Sequence, residues 1–205
     1  MKKTVKNIFV LLAITVTVIS CSSEQVVPKY YVLEPVREIQ AVSSEKIPLN
    51  IVIKPFYVSG IYNQKRIVFR SASNELQYYF YHMWAEKPSL AIRYFIKAYF
   101  ENAKTFNTCN IYSYAADTKY YITGNIDKIE RIKRKDAEYI SLKMSIKFIN
   151  SVSGKVLVSQ NFSREKIIKE GIGMNVFAQE VSTILTEEMN TFLQKIESYF
   201  KQQEG

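Results

Sequence analysis

The sequence predicts an α/β fold: a two-layer sandwich of a mostly antiparallel sheet that includes a meander, packed by two main helices. The first observation is that apolar and polar residues alternate over several short segments, which is typical of half-buried strands. The second is that two longer stretches repeat apolar residues every three or four positions, which is typical of amphipathic helices. One apolar face on the sheet and one apolar stripe on each helix favour two packed layers.

In the first half of the chain, several segments have the pattern of strands. The clearest is 48–56, PLNIVIKPF, in which apolar and other residues alternate. The other predicted strands are 29–35, 66–70, 74–84 and, after the first helix, 109–114. Residues 57–65 are predicted to be a loop that exposes aromatic side chains. Apolar residues at helical spacing predict the first helix over 89–104.

The second half of the chain predicts a meander and a long final helix. In 138–150, EYISLKMSIKFIN, apolar residues alternate with serines and lysines more regularly than anywhere else. Strands predicted at 119–132, with a bulge at Gly124, and at 156–162 flank it across short turns, so the three strands should pair antiparallel. Apolar residues over 176–200 recur every three or four positions and predict a helix of about 27 residues.

The N-terminus has the pattern of a secretory signal. Three lysines precede a run of twelve residues from Ile8 to Ile19, shorter than the roughly twenty that a membrane-spanning helix needs. The sequence Val-Ile-Ser-Cys that ends at Cys21 resembles the lipobox of bacterial lipoproteins, with Val in place of the usual Leu. In such proteins the signal is cut before the cysteine, its thiol is joined to diacylglycerol, and the new amine is acylated. The alternative is an ordinary signal peptide with a coincidental cysteine.

We therefore predict a lipoprotein signal peptide over 1–20, a lipidated tether over 21–29 and a single domain over 30–205. More than one acyl chain holds a protein stably on a membrane. Removing the three signal lysines from the net charge of +9 leaves +6, which favours anionic partners such as lipid headgroups or acidic proteins. An exported chain rarely meets nucleic acid, so no nucleic-acid partner is expected.

The sequence offers little for catalysis. His82 is the only histidine and lies among aromatic residues at strand spacing, so we predict that it packs within the sheet. After lipidation Cys109 is the one remaining thiol, predicted to be a core residue. Because metal sites usually need several His or Cys ligands, we expect no enzyme activity, no metal and no cofactor. A basic cluster at a predicted hairpin tip either touches anionic lipid or an acidic partner or is simply a solvated turn: Lys128, Arg131, Lys133, Arg134 and Lys135.

Several motifs resemble the ABC-type transport auxiliary lipoproteins, the family that contains the paraquat-inducible lipoprotein PqiC. The most specific likeness is in the segment 62–88. The matching residues are Tyr30, Tyr31 and Leu33; Ile51, Ile53 and Pro55; Tyr62, Arg66, Ile67, Val68 and Arg70; Asn74, Leu76 and Tyr78; and Trp84, Ala85 and Glu86. The chain departs from the family pattern at Met83, where Arg is common, and at Lys87, which separates Glu86 from a proline.

The resemblance implies a role in lipid transport between the two membranes of a Gram-negative envelope. Such lipoproteins work beside an ABC transporter and a protein with MCE (mammalian cell entry) domains, which forms a hydrophobic conduit. The lipoprotein would be a non-catalytic auxiliary that docks the conduit at the outer membrane, with its domain in the periplasm. Ser22, in place of Asp, looks like the outer-membrane sorting signal. A ring-shaped homo-oligomer is compatible with this family.

Two alternatives belong to other classes. One is an envelope-structure lipoprotein, such as an activator of a peptidoglycan synthase or an outer-membrane assembly factor. The other is a carrier that holds an acyl chain in its own core; it would need a cavity, whereas Tyr and Phe at strand spacing predict a filled core.

Exposed aromatic and arginine side chains together are typical of interfaces. On this ground the predicted partner-binding residues are Phe56, Tyr57, Tyr62, Arg66 and Arg70. Trp84, by contrast, is predicted to pack under the first helix, with Tyr78 and Phe80.

Overall fold

The structure, a computed structural model, describes residues 26–36, 46–112, 118–135 and 137–204. The predicted signal peptide, Cys21 and Ser22 lie outside these residues. The strands are β1 (Lys29–Tyr31), β2 (Ile47–Ile53), β3 (Tyr57–Val58), β4 (Arg66–Ala72), β5 (Glu75–Trp84), β6 (Phe106–Asn110), β7 (Tyr120–Arg134), β8 (Ala137–Asn150) and β9 (Val156–Ile168). The helices are α1 (Pro88–Ala103) and α2 (Met174–Glu204), and a short 3₁₀ helix spans Gly60–Tyr62.

The long strand β7 organises the sheet. Along one edge it pairs antiparallel with β8, and β8 pairs antiparallel with β9, so the predicted meander is confirmed. Along its other edge β7 pairs in succession with β2, β3 and β4, and all three pairings are parallel. Strand β6 extends the sheet beside β2, and β5 and β1 extend it beside β4. The sheet is therefore mixed, and its longest ladders are antiparallel.

The two helices lie together on the sheet and contact each other, which confirms the two-layer α/β fold. The Tyr99 hydroxyl of α1 donates a hydrogen bond of 2.7 Å to Oδ1 of Asn190 in α2. The apolar stripe of α2 is fully buried, as at Phe177 and Phe192, because it packs on the inward side chains of the meander. Burial of this apolar area is the main stabilising contribution to the domain.

Most predicted elements have the right type, and their ends differ. The first strand ends at Tyr31, whereas β9 continues to Ile168 because its last residues still pair with β8. The predicted strand at 109–114 begins earlier, at Phe106, and pairs with β2. The predicted loop over 57–65 contains β3 and the 3₁₀ helix.

Gly124 has a packing role, and the predicted bulge lies elsewhere. The β7–β8 register is regular where Gly124 faces Ile146, and it shifts between Ile126 and Lys128. A Cβ atom on Gly124 would collide with the carbonyl oxygen of Ser145 and lie 2.7 Å from a ring carbon of Phe56. The missing side chain therefore leaves the space in which the Phe56 ring packs.

Candidate docking surface

A buried carboxylate lies beneath the segment that carries the predicted partner-binding residues. This carboxylate belongs to Glu130 in β7, and its neighbour Arg131 shows which way it points. Arg131 points toward α2, where its Nη1 donates to Sδ of Met174 at 3.0 Å. Since neighbouring strand residues face opposite ways, Glu130 points to the other face of the sheet. Its side chain is 0% exposed.

Three hydrogen bonds from two residues satisfy Glu130. The Tyr62 hydroxyl donates to Oε2 at 2.7 Å, and Arg70 donates through Nε to Oε1 at 2.8 Å and through Nη2 to Oε2 at 3.0 Å. The ammonium of Lys128 lies 3.7 Å from Oε1. We call Tyr62, Arg70 and Glu130 the Glu130 cluster. A buried carboxylate requires such partners, because an unpaired charge in the interior is strongly destabilising.

The protonation of the cluster agrees with these donor roles. Burial, followed by the bond to Glu130, raises the pKa of the Tyr62 hydroxyl, which therefore stays protonated and donates. The bond to Glu130 raises the pKa of Arg70. Arg70 also donates through Nη1 to the carbonyl oxygen of Ser73 at 2.9 Å, which ties the β4–β5 turn to the cluster.

The prediction that all five partner-binding candidates are exposed is wrong for three of them. Phe56 and Tyr62 are buried, because one fills the space at Gly124 and the other bonds Glu130. Arg70 is largely covered, with 20% of its side chain exposed. Tyr57, which is 77% exposed, and Arg66 reach solvent as predicted. Whether these residues bind a partner stays a prediction.

An exposed aromatic and arginine surface lies beside the buried cluster. The guanidinium of Arg66 lies 4.7 Å from the ring centre of Tyr78, a cation–π contact. The Tyr78 hydroxyl lies 3.4 Å from the carbonyl oxygen of Ile61. Ile61 itself is 41% exposed. We call Tyr57, Ile61, Arg66 and Tyr78 the docking surface. Ile61 and Glu130 are not among the residues predicted from the sequence. Glu130 stands out there only as a single acidic residue within the basic segment KIERIKR.

Trp84 is buried, as predicted, but under the other helix. Its ring centre lies 6.0 Å from that of Phe177 in α2. Its backbone N–H donates to the carbonyl oxygen of Lys65 at 2.7 Å. Phe80, predicted to pack beside it, is 76% exposed.

The basic cluster is mostly used in ion pairs within the domain. Arg131 is buried and pairs with buried Glu138. Near the β7–β8 turn, Lys133 pairs with Glu170 at 2.8 Å, and Arg134 donates two bonds to Glu165, at 2.8 and 2.9 Å. Arg134 lowers the pKa of the Glu165 carboxyl. These contacts favour the structural interpretation of the cluster.

His82 packs between two tyrosines, as the sequence predicted. Its Nδ1 lies 2.7 Å from the Tyr31 hydroxyl, and its ring meets that of Tyr79 edge to face at 5.5 Å. Burial, helped by the charges of Lys29 and Arg131, lowers the pKa of His82. The imidazole borders an open groove of about 810 Å³ between β1 and the start of α2.

Within the described ranges, no group of three or more His, Cys, Asp or Glu side chains is arranged to hold a metal ion. No helix in this part of the chain combines the length and the apolar character that crossing a membrane requires. Cys109 is buried, and burial raises the pKa of its thiol to about 12.

The architecture defines a two-layer α/β domain that carries an aromatic and arginine surface above a buried ion cluster. The chain belongs to the family of ABC-type transport auxiliary lipoprotein components, whose family model matches residues 31–189. The matched range includes the whole Glu130 cluster and the docking surface, and it confirms the resemblance that the sequence motifs indicated.

Solved structures share this fold at low sequence identity. Protein XCC0632 from Xanthomonas campestris, assigned to the family model DUF330, has a TM-score of 0.66 and 16% identity over 85% of this chain and 98% of its own. A second crystal structure, of an uncharacterized protein, has a TM-score of 0.63 and 12% identity over 83% of this chain and 99% of its own. A dodecameric PelC from Paraburkholderia phytofirmans is more distant, with a TM-score of 0.41 and 12% identity over 70% and 92% of the two chains. No curated protein matches the chain by sequence.

Proposed function

We propose that this protein is a non-catalytic auxiliary component of an ABC and MCE-type intermembrane lipid transport system. Its lipidated Cys21 anchors it in the outer membrane, and its periplasmic domain holds the end of the transport conduit there. Family membership supports the transport role. The observation that carries the docking role is an exposed surface, Tyr57, Ile61 and Arg66, beside the buried Glu130 cluster. Ile61 precedes Tyr62 in the 3₁₀ helix, and Arg66 lies in the same strand as Arg70.

The Glu130 cluster gives this surface a rigid support. The hydrogen bond from Tyr62 holds the end of the 3₁₀ helix on the sheet, and the two bonds from Arg70 hold β4 against β7. Binding sites on rigid elements lose less conformational entropy when a partner docks. Tyr and Arg are also the residue types that most often dominate binding energy at interfaces.

The role is positional. Acyl chains on Cys21 keep the domain at the membrane, and the docking surface keeps the conduit beside it. A ring of several copies, a closed arrangement that homo-oligomers commonly adopt, would surround the end of the conduit.

The test is site-specific photo-cross-linking of the full-length lipidated protein in its native envelope. A benzoylphenylalanine at position 57 is compared with one at Val152, which is equally exposed at 77% but lies in the β8–β9 turn. We expect adducts with MCE-domain or ABC-transporter subunits at position 57 and not at position 152. The substitution Arg66→Glu should reduce the position 57 adducts, whereas Lys155→Glu, beside the control position, should not.

Two outcomes would contradict the proposal. Adducts of position 57 with a peptidoglycan synthase or a barrel-assembly protein would favour the envelope-structure alternative. Equal adduct patterns at positions 57 and 152 would show that the docking surface is not a contact site. Adducts between two copies of this chain would report the ring separately.

A further inference from the structure

Exposed apolar side chains concentrate at the β1 edge of the sheet. Thirteen large hydrophobic side chains are exposed among the described residues, and six of these lie in two short segments that β1–β5 pairing brings together. We call these six the edge patch: Val26, Val27, Tyr30, Val32, Phe80 and Tyr81. Exposed apolar side chains concentrated in this way mark an interaction site more often than single ones scattered over a surface do.

A large bulge in β5 carries two of these six side chains, Phe80 and Tyr81. Arg66 pairs with Met83 and Val68 pairs with Tyr78, so a single β4 residue faces the four residues 79–82 of β5. Within the bulge, the rings of Tyr79 and His82 remain partly buried and contact each other, while Phe80 is 76% exposed. Bulges re-aim side chains in this way, so the extrusion of Phe80 and Tyr81 is built into the sheet.

The edge patch begins five residues after the proposed anchor. This step rests on the proposed lipidation of Cys21. Five peptide steps separate Cys21 from Val26, and five residues span at most about 18 Å when fully extended. The acyl chains therefore hold Val26, where the patch begins, within that distance of the anchored residue, which gives the patch a high effective concentration relative to the lipid surface.

The composition of the patch fits lipid better than protein. Tyrosine rings are enriched where a polar hydroxyl meets headgroups and an apolar ring meets acyl chains. Lys29, exposed within the same segment, adds attraction to anionic lipid. A strand of three residues such as β1 offers few backbone groups for strand addition by a second protein.

We propose that the edge patch seats the domain on an anionic lipid surface, so that the protein rests on its membrane by the β1–β5 edge. This seating sets the orientation of the docking surface. Arg66 pairs with Met83, which pairs with Tyr30, so the docking surface begins about two strand spacings, roughly 10 Å, from the seated edge. A partner there would meet the protein beside the membrane.

The first experiment places benzoylphenylalanine at position 80 of the full-length lipidated protein in cells. The matched control is position 152, since Phe80 and Val152 are 76% and 77% exposed. We expect phospholipid adducts, identified by mass spectrometry, in several-fold excess at position 80. The substitution Lys29→Glu should lower their yield by up to about fivefold, the contribution of one lysine near an anionic surface, whereas Lys155→Glu should leave it unchanged.

A second measurement uses the purified lipidated protein in vesicles of phosphatidylethanolamine and phosphatidylglycerol with brominated acyl chains. A tryptophan introduced as Phe80→Trp should be quenched, and one introduced as Val152→Trp should not. The native Trp84 is 2% exposed and supplies a constant background in both variants.

Each result bears on the seating. Equal lipid yields at positions 80 and 152, or equal quenching of the two tryptophans, would overturn the seating. Protein adducts at position 80 in place of lipid would also overturn it. If the adduct is a second copy of this chain, the edge is an oligomer interface. Membrane fractionation of the same cells reports the anchor separately. A chain that fractionates with the membrane but gives no lipid adduct disproves only the seating, whereas a chain absent from the membrane removes the anchor and the seating together.

Discussion

Arg70 donates two hydrogen bonds to the carboxylate of Glu130, and that carboxylate is fully shielded from water. Such a pair is costly to assemble, because both charges lose hydration, and far more costly to break than to keep. In this protein the pair joins β4 to β7 beneath the docking surface. An arginine that the sequence suggests as a partner contact is therefore part of the support on which that contact surface rests.

Removing Arg70 should destabilise the domain far more than removing Arg66. Arg70→Ala leaves Glu130 buried without its main partner, and we expect the free energy of unfolding to fall by about 3–5 kcal/mol. Arg66→Ala removes an exposed cation–π contact worth about 1 kcal/mol or less. Urea unfolding of the unlipidated mature chain measures both. In a protein that already carries Glu130→Gln, Arg70→Ala should lower the free energy of unfolding by less. An equal loss in both backgrounds would show that Arg70 and Glu130 are not coupled.

The substitution Gly124→Ala should lower the free energy of unfolding by more than about 3 kcal/mol or prevent folding. The added Cβ would collide with a backbone oxygen of β8, which cannot move away as a flexible side chain can. Gly60→Ala is the matched control, because a Cβ there meets nothing within 4 Å. Thermal unfolding followed by circular dichroism compares the two. Similar melting temperatures would mean that β7 and β8 separate easily at Gly124.

The domain should lose stability as the pH falls below about 6.5, the ordinary pKa of histidine, partly through His82. Burial lowers the pKa of this imidazole below its ordinary value of 6.5 in the folded chain. As the pH drops through that value, the unfolded chain binds a proton that the folded chain does not, so unfolding becomes easier. The loss ends below the folded pKa, where both states are protonated. His82→Gln should flatten the slope of unfolding free energy against pH, and an unchanged slope would remove His82 from the explanation.

The Cys109 thiol should be inert in the folded protein. Burial raises its pKa to about 12, so at pH 8 on the order of one thiol in ten thousand is ionised, and the thiolate is the reactive form. With Cys21→Ala, a colorimetric thiol reagent should detect no thiol in native buffer and one in denaturant. Rapid labelling of the native chain would show that β6 opens readily.

Cys21→Ala should release the protein from membranes and leave the domain folded. The anchor is proposed to be lipid on that single residue, and the edge patch alone binds too weakly to hold a protein through washing. Fractionation after a salt wash, with circular dichroism of the released chain, tests both parts. Retention of the variant in the outer-membrane fraction would count against the anchor.

The sequence predicted most reliably where one pattern dominates. In β8, the alternating residues Ile140, Leu142, Met144, Ile146 and Phe148 are all buried, as expected. Alternation indicates which face of the sheet a side chain occupies. Where every residue on one face is apolar, packing alone decides that this face is buried. The same reasoning correctly placed the apolar stripe of α2.

Prediction was weakest where the environment comes from distant residues. Arg66 and Arg70 have the same place in the alternation of β4, yet Arg66 stacks on an exposed ring and Arg70 bonds a buried carboxylate. The difference depends on Glu130, sixty residues further along the chain. Phe56 was expected to be exposed as part of an aromatic and arginine interface, and the space at Gly124 buries it.

The sequence by itself determined the class of fold, the two helices, the meander and the family, because these depend on local periodicity and on short motifs. Only the tertiary structure decided the parallel pairings along β7, the burial of Tyr62 and Arg70, and the bulge that extrudes Phe80 beside β1. Periodicity along one strand carries no information about which strand lies next to it or in which direction that strand runs. The docking surface and the edge patch both combine residues of neighbouring strands, so neither could be predicted from the pattern of one strand.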